Sequence, residues 1–166
     1  MYTILNIGCG DRKIDGAINI DINPLSKPDF LMDATLTPWI WNDNSVDEIR
    51  MHHFLEHCSN PANVLMECYR VLKKDGILFI TVPHSSSNSA KGCLFHYRTF
   101  SYNSLKDFLS VHNKLFITIH QRLVWLPHWE WLPIQWLIDL SPIFCERFWC
   151  YWVGGVTEVQ YRGIKI

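Results

Sequence analysis

Two glycines after a buried strand, and a carboxylate that ends the next one, are the residues best placed to do chemistry in this sequence. Thr3-Ile4-Leu5-Asn6-Ile7 is a short, nearly continuous apolar run that breaks into Gly8-Cys9-Gly10. Such a run suits the central strand of a parallel sheet, whose two faces are both covered by helices. Glycines at its carboxyl end let the chain turn sharply and bring bare backbone N–H groups against a ligand. Asn19-Ile20-Asp21-Ile22 offers a second apolar strand ending in an acid, where paired ribose hydroxyls can be held. The expectation is a nucleoside-bearing cofactor lying across the carboxyl ends of these strands.

Spacing narrows the cofactor. A dinucleotide fingerprint wants a third glycine three positions after the second, and Lys13 stands there. Asp21 also follows Gly10 far sooner than the roughly 20 residues usual in a dinucleotide fold. The stretch between them is too short and polar for a crossover helix whose N-terminus could hold a pyrophosphate. These departures weigh against NAD and favour a cofactor without phosphates.

The elements needed to position these residues are legible in order. Strands are expected at about 17–22, 30–32, 46–51 and 77–82, with Asp33-Ala34 closing the third. Asn60-Pro61 is a capping amide before a proline, and Val64, Leu65, Cys68, Val71 and Leu72 recur at helical spacing. Lys73-Lys74 and then Gly76 suit the end of that helix and a left-handed cap. Residues 85–89 read as a flexible polar loop, 102–111 as a short helix, and 115–123 with 157–166 as an antiparallel strand pair. Alternating strands and helices predict one α/β domain over 1–166, an open doubly wound sheet.

Composition excludes several classes. With 48% hydrophobic and 19% charged residues the chain is globular, and a net charge of −1 gives no basic face for nucleic acid. Six cysteines without a C-x-x-C, and no leader before the first strand, are expected to be reduced cytoplasmic thiols, with no metal site. Six of the eight tryptophans fall between Trp125 and Trp152. Prolines and charges interrupt that stretch, so it is too broken for the roughly 20 apolar residues of a membrane span. A helical insertion over about 125–153, serving as packing, lid, dimer face or peripheral membrane contact, is expected.

Taken as a set, Leu5-Asn6-Ile7-Gly8-Cys9-Gly10, Ile18-Asn19-Ile20-Asp21, Asp33-Ala34, Asn44-Ser45-Val46-Asp47-Glu48-Ile49, His53-Phe54-Leu55-Glu56-His57 and Arg70-Val71-Leu72-Lys73-Lys74-Asp75-Gly76 resemble class I S-adenosylmethionine-dependent methyltransferases, in their small type-11-like branch. The resemblance implies a Rossmann-like, mostly parallel seven-stranded sheet with an antiparallel last strand. It implies contacts from Ile7, Gly8, Cys9 and Gly10 to the methionine moiety of the donor, Asp21 on the ribose and Ile22 on the adenine. Asp33 and Ala34 would meet the adenine edge, and His52 and His53 would line the donor near its methyl. Val82-Pro83-His84 and His96-Tyr97-Arg98-Thr99-Phe100-Ser101 are similar to the segment that closes over the acceptor in this branch.

Against the family's pattern, no helix is expected before the first strand, and the first crossover helix is expected to be nearly gone. A neighbouring subunit or the tryptophan-rich segment is therefore expected to cover that face. The implied reaction is methyl transfer to a hydroxyl or amine of a small molecule, sugar or glycan. His53, His84 and His96 are the candidate catalytic bases, and Arg98 is placed to fix an anionic group. Glu56 and His57 read as a hydrogen-bonding and capping pair. The alternative is a non-catalytic binding or assembly protein that keeps the fold.

Overall fold

In the computed structural model, residues 2–112, 114–125, 133–150 and 155–166 are described. In chain order the elements are β1 (Ile4–Ile7), β2 (Ile18–Asp21), β3 (Phe30–Leu31), β4 (Val46–His52), α1 (Pro61–Val71) and β5 (Leu72–Pro83). There follow α2 (Asn88–Gly92), α3 (Ser104–Lys106, widening into a π-turn over Asp107–His112) and β6 (Phe116–Val124). The last are α4 (Pro133–Leu140), α5 (Pro142–Phe144, continuing as a π-turn over Cys145–Trp149) and β7 (Glu158–Lys165). The strands form one seven-stranded sheet in the order β3-β2-β1-β4-β5-β7-β6. The first five pair in parallel, and β7 runs antiparallel to both β5 and β6. The expected α/β sheet with its antiparallel last strand is what the chain forms.

The two faces of this sheet are unlike, which corrects the expectation of strands apolar on both sides. Side chains alternate along each strand. On one face Leu5 lies between Ile18 and Ile49, and Ile7 between Ile20 and Met51. These residues share one cluster with Val64, Leu65, Cys68 and Val71 of α1, Leu105 and Leu109 of α3 and its π-turn, and Ile138 of α4. On the other face Asn6 lies between Asn19 and Arg50, and Arg50 is followed by Phe79 and Arg162. The guanidinium groups of Arg50 and Arg162 sit 5.3 and 4.8 Å from the Phe79 ring centroid. Cations over an aromatic face make this surface compatible with water. The short loops between β1, β2 and β3 carry no crossover helix, so the face they leave bare has to be polar.

Asparagines take over part of the missing helices' work. Asn6 Nδ2 donates to Asn19 Oδ1 and to the Arg12 carbonyl, each at 2.9 Å. Asn19 Oδ1 also accepts from the Ile14 N–H at 2.9 Å, and Asn19 Nδ2 donates to Asp29 Oδ2 at 2.7 Å. This buried network satisfies the β1–β2 connection with side chains where a helix would use its own backbone.

Other expectations are adjusted locally. Helix α1 ends at Val71, and β5 begins at once with Leu72. The left-handed residue is Asp75 (φ +64), not Gly76, whose added Cβ would lie 2.8 Å from the Lys73 carbonyl oxygen. Close backbone approach is therefore why position 76 is glycine. Asn60 makes no side-chain cap, while Pro61 does occupy the first turn. The expected loop at 85–89 is partly helical, because the Ser87 hydroxyl accepts from Ala90 N–H at 3.0 Å and starts α2.

The described part of the tryptophan-rich segment lies at the β6 edge, opposite β3 in the strand order, where Gln135 Nε2 donates to the Leu123 carbonyl at 2.8 Å. Its described part packs on β6, so of the two covers expected for the strands around β1, a neighbouring subunit or this segment, it is not the one. Trp129, Trp131 and Trp152 lie outside the described residues. Among those described, no helix is long and apolar enough to cross a membrane, and all six cysteines are free thiols.

Candidate active site

The crevice at the carboxyl ends of β1 and β2 is built by the glycine turn. Gly8 (φ +66) and Gly10 (φ +47) both occupy the left-handed region. A Cβ at Gly8 would also stand 2.7 Å from Phe54 Cδ2, so bare backbone is required there twice over. Asp21 braces the turn: its Oδ2 accepts from the Gly10 N–H at 2.7 Å and its Oδ1 from the Asn23 N–H at 2.8 Å. Each carboxylate oxygen keeps a second lone pair for a ligand hydroxyl. Beside it Ile22 is 62% exposed, an apolar platform in the open.

These residues line a cavity of about 460 Å³, within the usual size for a small-molecule site. Gly8, Gly10, Asp21, Ile22, Asp33, Ala34 and His53 all border it. Asp33 Oδ1 accepts from the Thr35 N–H at 2.9 Å and the Thr35 hydroxyl at 2.6 Å, which fixes the carboxylate. Ile7 and Cys9 do not line the cavity; both side chains are buried, and Cys9 instead ties β1 to β2 through its N–H to the Ile20 carbonyl at 2.9 Å. His52 is also absent from the lining and is bonded to Arg12. Burial first, and then the charges of His53 and Arg12, push its pKa down to about 4. Phe54, Met32, Thr35 and His57 line the cavity without having been singled out for it.

His53 adopts φ +53, a strained value for a residue with a side chain. Its Nδ1 lies 3.0 Å from Glu56 Oε1 and its Nε2 lies 2.9 Å from Glu158 Oε1. Burial opposes its charge, but hydrogen bonds to the two carboxylates outweigh that and carry its pKa up to about 9. A ring held between two acids has no free lone pair with which to take a proton. Geometry therefore corrects its expected use as a base and leaves it a lining and positioning group. Glu158 lies 105 residues away in the chain.

His84 stands apart. It is almost wholly buried and borders a separate cavity of about 170 Å³ with Ser86, Lys91 and Glu146. Its Nδ1 accepts from the Ser86 N–H at 3.1 Å and meets the Ser86 hydroxyl at 2.7 Å. Its Nε2 lies 2.9 Å from Glu146 Oε1, and the same carboxylate oxygen accepts from the Tyr102 N–H at 2.6 Å. Burial holds its pKa below the ordinary histidine value. Both nitrogens are hydrogen-bonded, so in this structure His84 joins the end of β5 to the segment carrying Glu146, apart from the first cavity.

His96 and Arg98 do reach the first cavity's neighbourhood. The Tyr97 N–H donates to the Glu56 carbonyl at 2.8 Å, which docks their loop on the turn after β4. The His96 ring meets that of His57, a cavity-lining residue, with centroids 4.8 Å apart. Arg98 is exposed, with Nη2 3.5 Å from the Ser59 carbonyl.

Residues 17–80 match the family model described as a methyltransferase domain. No curated protein sequence matches the chain. Among solved structures, an S-adenosylmethionine-dependent methyltransferase from Archaeoglobus fulgidus is similar at TM-score 0.70 and 19% identity, over 99% of this chain and 86% of that one. A candidate methyltransferase in complex with the Trm112 methyltransferase activator of Haloferax volcanii gives 0.63 and 15%, over 99% and 82%. The 4+2 cyclase SpnF gives 0.64 and 18%, over 99% and 75%. The fold is that of the class I S-adenosylmethionine-dependent methyltransferases, and with the matched domain it supports the type-11-like resemblance and S-adenosylmethionine as the cofactor.

Proposed function

We propose that this chain transfers a methyl group from S-adenosylmethionine to a hydroxyl or amine of a small molecule, sugar or glycan. The observation that carries it is the glycine turn braced by Asp21 across a cavity floored by Ile22. The residues present fit the cofactor. Gly8 and Gly10 leave room for its methionine end, Asp21 keeps lone pairs for ribose hydroxyls, and Asp33 keeps one oxygen free for an adenine amine. When bound, the cofactor supplies an electrophilic methyl on a sulfonium sulfur. The protein's own part is to hold the acceptor in line at near-attack distance and keep water out. His96, whose Nδ1 donates to the Ala90 carbonyl at 3.3 Å, and Arg98, exposed beside it, are the residues of this loop that would meet the acceptor, Arg98 toward an anionic substituent.

Calorimetric titration with S-adenosylhomocysteine tests this reading. Binding is expected in the wild type, weakened about tenfold or more in Asp21→Ala. Absence of binding at high micromolar concentration would overturn it. The second reading, a binding or assembly protein on the same fold, rests on the shortened connection between β1 and β2, which carries no crossover helix. A cyclase among proteins of this fold is a reminder that the fold alone does not specify methyl transfer. Exposed Trp136, Leu137, Leu140, Phe144 and Phe148 supply the surface for a homodimer, protein or peripheral membrane contact.

A further inference from the structure

Glu56, His57 and His96 stand together at the edge of the donor cavity, which His57 lines. Glu56 is 1% exposed; its Oε1 is taken by His53, whereas Oε2 is buried without a hydrogen-bond partner among the described residues. His57 Nδ1 donates to the Phe95 carbonyl at 3.2 Å, and His96 Nδ1 donates to the Ala90 carbonyl at 3.3 Å. Those two bonds place the proton of each neutral ring on Nδ1 and its lone pair on Nε2, and among the described residues nothing donates to either Nε2. A donor atom from each of the three residues lies within 4.8 Å of the others. We propose that Glu56, His57 and His96 bind one divalent transition-metal ion at the rim of the cofactor cavity.

Several features point to a cation and not merely to a polar cluster. A buried carboxylate oxygen without a donor is costly, and a positive ion removes that cost. Histidine ligands of metals characteristically give their other N–H to a backbone carbonyl or carboxylate, as both rings do here, and ligating carboxylates are themselves hydrogen-bonded, as Glu56 is by His53. The ligands are held by backbone: His57 N–H donates to the Phe54 carbonyl at 3.1 Å, and Tyr97 N–H clamps the His96 loop onto Glu56. Two imidazoles and one carboxylate suit zinc, cobalt, iron(II) or manganese better than magnesium or calcium, which prefer all-oxygen shells. Three protein ligands also leave coordination positions open. Resting on the methyl-transfer reading, those positions would take an acceptor hydroxyl with a neighbouring oxygen, a vicinal diol or catechol, and coordination would lower the hydroxyl's pKa.

The full chain, freed of metal by chelator dialysis, is titrated with Co²⁺ followed by visible absorption, and Zn²⁺ is used to displace it. One ion per chain is expected. His96→Ala and Glu56→Gln should each weaken Co²⁺ binding by about tenfold or more, while His120→Ala on β6 should leave it unchanged. Circular dichroism reports folding, and His96→Ala carries the test if Glu56→Gln does not fold. No bound ion, or wild-type affinity in both His57→Ala and His96→Ala, overturns the site. S-adenosylhomocysteine titration of the same samples separates the two ideas. Nucleoside binding without the ion removes only the metal site; ion binding without the nucleoside removes only the methyl-transfer reading.

Discussion

Two of the histidine clusters among the described residues, the one around His84 and the one that His57 and His96 form with Glu56, differ in whether their nitrogens are already spoken for. In the first, Ser86 and Glu146 occupy both sides of a buried ring, and the group has nothing left to offer a ligand. In the second, His57 and His96 spend one nitrogen each on a backbone carbonyl and keep the other. Residue type is the same in both places. What distinguishes a structural histidine from a chemical one is its unspent lone pair, together with a cavity beside it.

Substitutions should separate the clusters by kind of effect. The largest is expected from His84→Ala, which strands Glu146 and opens a void: a loss of about 2–4 kcal/mol in denaturant unfolding, with cofactor affinity unchanged. Wild-type stability coupled to lost turnover would instead make His84 chemical. His96→Ala should do the opposite, lowering turnover by about a hundredfold while stability and S-adenosylhomocysteine affinity hold. Arg98→Ala is expected to lower turnover roughly threefold to tenfold with an anionic acceptor, again sparing cofactor affinity.

The smallest effect is in pH dependence. The folded pKa of His84 lies below the ordinary 6.5, so between the two values the unfolded chain binds the extra proton. The stability that neutral His84 contributes is present above pH 6.5 and fades as pH falls below it. The gap in unfolding free energy between wild type and His84→Ala should therefore narrow on going from pH 7.5 to 5.5. A gap that widens in acid would show that His84 is charged in the folded state, against the direction given by its burial.

Much of the donor side was readable from residues alone, because it is built locally. Gly8 and Gly10 stand where a turn needs left-handed backbone, and Asp21 ends a strand only 11 positions after Gly10, close enough to brace it. The sheet's bare face was less readable. Asn6 and Asn19 look like isolated polar residues in apolar runs until the register sets them opposite each other. The partners of the histidines were not readable at all. Glu158 is 105 residues from His53 and Glu146 is 62 from His84, and no periodicity links such pairs.

By itself, then, the sequence determined the strand-and-turn frame and the carboxylate at its tip, since propensity, spacing and glycine conformation act over a few residues. Tertiary structure alone decided which imidazoles are neutralised by acids and which stay open at the cavity. That depends on chain segments far apart in sequence meeting at hydrogen-bond distance, and on a sheet whose one face is packed and whose other is left to water.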